Sequence, residues 1–308
     1  MAGVPVAVLP RAVPGLDEAL REAGADVVEP GEAEAIVWTS PGDADELAAL
    51  LEPRHRWIAL VIAGIERWLA SGLVDGSRVW TCARGVYADG VAEHGLALIL
   101  AGARRLPASA RAREWRRIPG ERLRGATVTV LGAGAIGRRL AQLLAPTGAR
   151  LVAVTRRGLP VAGFAETVRV SDLPGALAGT RFLVISAPLT PQTMGMVDGA
   201  MLDALGPAGA VVNLSRGEIV DTDALVERLQ TGRLCAALLD VTDPEPLPAG
   251  HPLWALDNVL VTPHVANPND GDPWDSHLPE LLDHLASNVR AFGSGRPLSG
   301  VVDVDAGY

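Results

Sequence analysis

"VTVLGAGAIGRRLAQ", residues 128–142, decides the architecture. A β-branched, apolar run opens it, glycines stand at 132, 134 and 137, and an amphipathic run follows. This is G-x-G-x-x-G placed between a strand and a helix. The first glycine allows a tight turn. The second lets the backbone approach a pyrophosphate, and the third lets helix and strand pack closely. A helix opening at Ala135 and Ile136 directs free N–H groups and a partial positive charge at phosphates. Gly132, Gly134, Ala135, Ile136 and Gly137 are therefore the expected dinucleotide-binding turn.

A second strand, "RLVAVTRRGLP" at 150–160, follows at the distance such a fold requires. Its end should meet the adenine ribose, where an acid would accept hydrogen bonds from both hydroxyls and repel a 2′-phosphate. Here Thr155, Arg156 and Arg157 stand instead. Threonine cannot repel, and arginine pairs with phosphate through two parallel hydrogen bonds. The alternative is two surface arginines in a chain that uses arginine everywhere. The missing acid favours NADP (NADPH) as the preferred cofactor, with NAD as the alternative.

Strand and helix patterns alternate on both sides of this turn. Before it, "VPVAVLP", "AIVWTS", "RWIALVI" and "RVWTCA" read as strands, and "GLDEALREAGA" and "DADELAALL" as helices. After it, "RFLVIS", "AVVNLS", "CAALLDV" and "NVLVTP" read as further strands, with "TDALVERLQTG" and "LPELLDHLASNVRAFGSG" helical. Alternation of this kind implies parallel sheets covered on both faces. Asp89 is placed to cap a buried helix over "GVAEHGLALILAGARRL".

The chain has 308 residues, enough for two domains, and a formal charge of −9. That acidity argues against a nucleic-acid partner. Eight arginines lie between Arg104 and Arg124 with Trp115 among them, which reads as a solvated arm or a subunit contact. Cys82 and Cys235 make neither a disulfide framework nor a metal spacing, so buried reduced thiols are expected and no metal. No signal segment or membrane-spanning run is evident, and a cytoplasmic location fits.

Three later stretches put polar residues where strands should end: "VVNLSRGEIVD", "LLDVTDPEPLP" and "NVLVTPHVAN". In open α/β sheets the site lies at the carboxyl ends of the strands. Arg216 can hold a carboxylate and polarise a neighbouring carbonyl. His264 can pass a proton to a carbonyl oxygen, and Glu245 can fix the imidazole tautomer. Each also has a plain alternative: a turn arginine, a solvated acid, a capped strand-end histidine.

With these stretches, "AGIERWLASGL", "RGVYADGVAEHGLALIL", "APLTPQTMGMVD", "HPLWALDNVLVTPH" and "NVRAFGSGRPLSGVVD", the chain resembles the D-isomer-specific 2-hydroxyacid dehydrogenases over nearly its whole length. The resemblance implies an α/β fold: a Rossmann-type doubly wound parallel sheet plus a split flavodoxin-like substrate domain. The boundaries expected are 1–92 and 276–308 for the substrate domain and 93–275 for the dinucleotide-binding domain. It also implies a cleft between the domains and a homodimer, with the arginine-rich arm in the dimer contact. Carried over residue by residue, Arg216 anchors substrate, His264 is the acid/base and Glu245 its partner. Asp240 holds the nicotinamide carboxamide, and Ser186, Ala187 and Pro188 line the cofactor. The N–H groups of Ala63 and Gly64 receive the substrate carboxylate.

The implied reaction is hydride transfer between nicotinamide and a small 2-keto or 2-hydroxy acid, glyoxylate and hydroxypyruvate being candidates. Corepressors on the same fold also keep the three polar residues, so a dinucleotide-binding module with little catalysis is the rival reading. Two departures stand out. "HVANPND" replaces a small Gly/Ser-rich turn after the histidine, and Arg84 and Tyr87 either touch a substrate substituent or pack against the hinge.

Overall fold

The structure is a computed structural model and describes residues 3–267 and 273–308. The chain forms two compact units, residues 1–87 with 268–308, and residues 88–267.

The first unit opens with β1 (Val4–Leu9), α1 (Leu16–Glu22), β2 (Ala25–Val27), β3 (Ala35–Trp38) and α2 (Ala44–Leu50). It continues with β4 (Trp57–Leu60), α3 (Glu66–Ala70) and β5 (Val79–Cys82). The strands pair in parallel in the order β2-β1-β3-β4-β5, the flavodoxin-like arrangement. All residues of β3 and β4 are buried, as expected of strands covered on both faces. Gly24, two residues past α1, has φ 96°, so the helix ends where a left-handed residue is required. The three-residue edge strand β2 carries no apolar run long enough to announce itself.

The second unit begins with α4 (Ala88–Ala103), α5 (Leu106–Arg111), β6 (Thr127–Leu131), α6 (Ala135–Leu144), β7 (Arg150–Thr155) and β8 (Glu166–Arg169). Then come α7 (Leu173–Leu177), β9 (Thr180–Ile185), α8 (Gly199–Leu205), β10 (Ala210–Asn213), α9 (Thr222–Gln230), β11 (Ala236–Leu239) and β12 (Val259–Val261). Its seven strands run in the order β12-β11-β10-β9-β6-β7-β8, all parallel. This is the doubly wound order, whose reversal point lies between β6 and β9. The core under the sheet joins Leu183 and Ile185 of β9, Val211 of β10 and Leu239 of β11 to Leu202 of α8 and Leu225 of α9. A last helix, α10 (Pro273–Gly293), returns to the first unit.

Asp89 does not cap α4. The helix starts at Ala88, so Asp89 sits inside its first turn, where its carboxylate pairs with Arg139 Nε at 2.8 Å. True aspartate caps occur at Asp198 and Asp221, whose side chains accept the Met201 and Ala224 N–H groups at 2.9 Å. Residues 92/93 and 275/276, the expected boundaries, fall inside α4 and α10. Among the described residues no helix is long and apolar enough to cross a membrane.

Candidate active site

The glycine turn sits at the reversal point because β6 ends there. Gly132 has φ 96°, and a Cβ on it would lie 2.6 Å from the Ala187 nitrogen. A side chain is thus barred twice, by conformation and by the backbone after β9. A Cβ on Gly137 would meet the Gly132 carbonyl at 2.5 Å. Gly134 differs: nothing lies within 4 Å of its Cβ position. It precedes α6 with no side-chain cap, and Gly134 and Ala135 are exposed while Ile136 is half-buried. Open space over uncapped first-turn amides is what a pyrophosphate needs, so these residues fit a dinucleotide.

The turn after β9 closes the other side. Ser186 Oγ donates to the Gly132 carbonyl at 2.7 Å, and Ser215 donates to the buried Ala187 carbonyl. Exposed Pro188 gives its carbonyl to Thr193 Oγ1 at 2.7 Å. Thr155 ends β7, its Oγ1 accepting the Gly158 N–H at 3.0 Å, and Arg156 and Arg157 stand exposed beyond it.

Three loops at the carboxyl ends of β10, β11 and β12 carry the polar set. Arg216 follows β10 in extended conformation, and its carbonyl accepts the Asn213 side-chain amide at 2.8 Å. A Cβ on Gly217 would lie 2.0 Å from the Thr242 carbonyl carbon. The Arg216 loop therefore rests directly on the backbone that leads to Glu245. One sequence offers no signal for that approach.

Glu245 Oε1 and His264 Nδ1 are 2.7 Å apart, and the pair is about half exposed. A carboxylate only accepts, so Nδ1 carries the proton and Nε2 is directed away from Glu245. His264 adopts φ 55°, a conformation rare for a residue with a side chain. Asp240 sets it. The Asp240 carbonyl accepts the His264 N–H at 2.7 Å. Its carboxylate accepts the N–H groups of Val265 and Ala266 at 3.0 Å and the Thr262 hydroxyl at 2.7 Å. His94 of α4 lies 3.3 Å from the same carboxylate. Burial alone would push the Asp240 pKa up. The hydrogen bonds from His94, Thr262 and the two amides outweigh it and hold the group below the ordinary carboxylate value. His94 and Thr262 lie 168 residues apart in the chain, and no local motif marks either.

Ala63 and Gly64 belong to the first unit, in the loop after β4, with Ala63 exposed and Gly64 half-buried. In the same unit Tyr87 is buried and its hydroxyl donates to the Val61 carbonyl, while the Arg84 guanidinium lies 5.0 Å from the Tyr308 ring centroid. Tyr87 is buried, whereas Arg84 remains exposed. Of the "HVANPND" turn, Pro268, Asn269 and Asp270 lie outside the described residues.

The fold and this site define a dinucleotide-binding oxidoreductase with a histidine–glutamate pair at the strand ends of the nucleotide-binding sheet. Residues 96–266 match the family "D-isomer specific 2-hydroxyacid dehydrogenase, NAD binding domain". The chain is 28% identical to a D-isomer specific 2-hydroxyacid dehydrogenase of Xanthobacter autotrophicus solved with NADPH and MES, with TM-score 0.84 and 100% of both chains covered. It is 27% identical to an NADPH-dependent glyoxylate/hydroxypyruvate reductase of Sinorhizobium meliloti solved with NADP and sulfate, with TM-score 0.81 and 99% of each chain covered. Glyoxylate/hydroxypyruvate reductase A of Serratia proteamaculans is 33% identical over 196 residues, 63% of this chain and 60% of that protein. The chain belongs to the D-isomer specific 2-hydroxyacid dehydrogenase family.

Proposed function

We propose that the protein is an NADPH-preferring reductase of small 2-keto acids, glyoxylate and hydroxypyruvate foremost. The observation that carries this is the 2.7 Å His264–Glu245 hydrogen bond at the strand ends of the nucleotide-binding unit. NADPH bound over Gly134 and the first turn of α6 would supply a hydride. The chain's own residues do the rest. Arg216 holds the substrate carboxylate and polarises the keto group. Glu245 keeps the proton on Nδ1, so Nε2 delivers the other proton to the carbonyl oxygen. Asp240, whose carboxylate binds the loop of His264, also takes the carboxamide of the nicotinamide in this reading. Ser186, Ala187 and Pro188 line the cofactor beside Gly132. Arg156 and Arg157, with Thr155 in place of an acid, bind the 2′-phosphate.

A homodimer belongs to the same reading, supported by an arm whose Trp115 is fully exposed. So does a cytoplasmic location, supported by Cys82 and Cys235 both being free thiols.

The test is steady-state reduction of a panel of 2-keto acids with NADPH, using wild type and His264→Gln. Wild type should turn over glyoxylate and hydroxypyruvate. The variant should lose roughly 10²–10⁴-fold in kcat, the contribution of a positioned acid, with NADPH affinity nearly intact. A panel without turnover despite tight NADPH binding would overturn the enzymatic reading in favour of a nucleotide-binding module.

A further inference from the structure

We propose that His94 is a positioning residue for His264, acting through Thr262 and Asp240. The proposal rests on the reading of His264 as the acid/base.

His264 calls for a local hold because φ 55° is a conformation that few residues with a Cβ adopt. Asp240 provides it on both sides. Its carbonyl accepts the His264 N–H, its Oδ1 accepts the Val265 N–H and its Oδ2 the Ala266 N–H. The orientation of this one carboxylate therefore anchors the two residues that follow His264, and with them the backbone that carries the imidazole. The carboxylate is 1% exposed, so solvent does not fix it.

Proton accounting identifies what does. A carboxylate has no proton to give, so the 2.7 Å contact with Thr262 spends the one Thr262 hydroxyl proton on Oδ1. Thr262 Oγ1 is also 2.9 Å from His94 Nε2. With its proton committed, Oγ1 can only accept, so His94 Nε2 must carry hydrogen and donate. Nε2 lies 3.3 Å from Oδ1 as well, and its hydrogen reinforces the negative end of the chain. The order is His94 N–H to Thr262 O–H to Asp240 carboxylate. Asp240, Thr262, Val265 and Ala266 all lie in the strand-end loops they organise. His94 comes from outside them, on the 16-residue helix α4. It ties the loop of the acid/base to a long rigid element.

Loss of this donor leaves the half-buried Thr262 hydroxyl oxygen without His94 and loosens the Asp240 carboxylate, which the Thr262 hydroxyl and the two amides still bind. The effect should fall on proton delivery and spare the glycine turn before α6.

The experiment compares His94→Leu with His94→Gln, whose amide N–H reaches the place of Nε2. Glyoxylate and NADPH are the probes, with NADPH affinity read separately by fluorescence. His94→Leu should lower kcat roughly tenfold to a hundredfold, the scale of losing a hydrogen bond to a charged group. NADPH affinity should fall by clearly less than kcat, since the glycine turn is untouched, and His94→Gln should recover kcat to within about threefold. Thr262→Val should mimic His94→Leu, and the double variant should lose no more than either single one. Wild-type kcat in His94→Leu, equal losses in kcat and NADPH affinity, or additive losses in the double variant would each overturn the proposal. Should His94→Leu fail to fold, Thr262→Val against Thr262→Ser decides: Val impaired and Ser active supports it, and Val unimpaired overturns it.

Amide hydrogen exchange reads the same lock without turnover. In His94→Leu, or in Thr262→Val if that is the folded variant, the Val265 and Ala266 amides should exchange faster while residues 130–137 do not change. Unchanged exchange at Val265 and Ala266 overturns the proposal even if no keto acid is reduced. Unimpaired catalysis by His264→Gln would instead fault the acid/base reading.

Discussion

Replacing both Arg156 and Arg157 by alanine separates cofactor choice from catalysis. The two side chains lie just past Thr155 at the end of β7, and both are exposed. A unit charge pair at 4 Å contributes about 1 kcal/mol in bulk water and about 4 kcal/mol at an effective dielectric of 20. Exposure places these residues near the lower figure, so about 1–1.5 kcal/mol each toward a 2′-phosphate. Together that is about 2–3 kcal/mol, or roughly a 30- to 150-fold loss at 1.4 kcal/mol per tenfold. The assay is kcat/KM for NADPH and for NADH on one keto acid at fixed ionic strength. NADPH should fall by that factor and NADH by no more than about threefold, since only the former carries the phosphate.

The wild-type preference should also shrink as salt rises, because exposed charges are screened over about 10 Å at 0.1 M. The converse change, Thr155→Asp, should favour NADH. Its carboxylate can still accept the Gly158 N–H that Thr155 Oγ1 now accepts at 3.0 Å, so the turn is kept. Equal losses for both cofactors in the double alanine variant would refute the assignment of the arginines to the phosphate.

Glu245→Gln keeps an acceptor for Nδ1 but removes its charge; kcat should drop about a hundredfold with NADPH affinity unchanged, and an unaltered kcat would remove Glu245 from the mechanism. Gly132→Ala forces a side chain into φ 96° and 2.6 Å from backbone at Ala187. The conformation alone costs about 1–2 kcal/mol, so thermal unfolding should show a lower Tm and a weaker shift on adding NADPH. Asp240 has a folded pKa below its ordinary 3.8, so its stabilisation is present above pH 3.8 and is lost as pH falls through the lower folded value. Denaturant titrations of wild type and Asp240→Asn should therefore differ most near neutrality and converge below pH 3.8, whereas a constant gap would contradict the shift.

What was legible in the sequence was whatever depends on neighbours in the chain. The glycine turn announces itself because Gly132, Gly134 and Gly137 serve one turn and one helix start. Strands β3, β4, β10 and β11 are buried on both faces and so read as apolar runs. Edge strands do not: β8 is "ETVR", half exposed, and β2 is three residues long. Asp89 shows how a local rule fails when a distant partner competes. It has the right chemistry for a cap, yet Arg139, fifty residues on, takes its carboxylate and the helix begins one residue earlier. The site divides the same way. Glu245 and His264 could be named because each stands where a strand ends, but what holds His264 at φ 55° could not. That hold needs residues 94, 240 and 262 together, and no spacing rule relates a helix face to two strand ends. Sequence therefore exposes groups that act on a ligand sooner than groups that act on each other. The reason is physical: a reacting group needs exposure and a strand end, whereas a buttress needs only burial and a partner, which any polar residue can find once the sheet has formed.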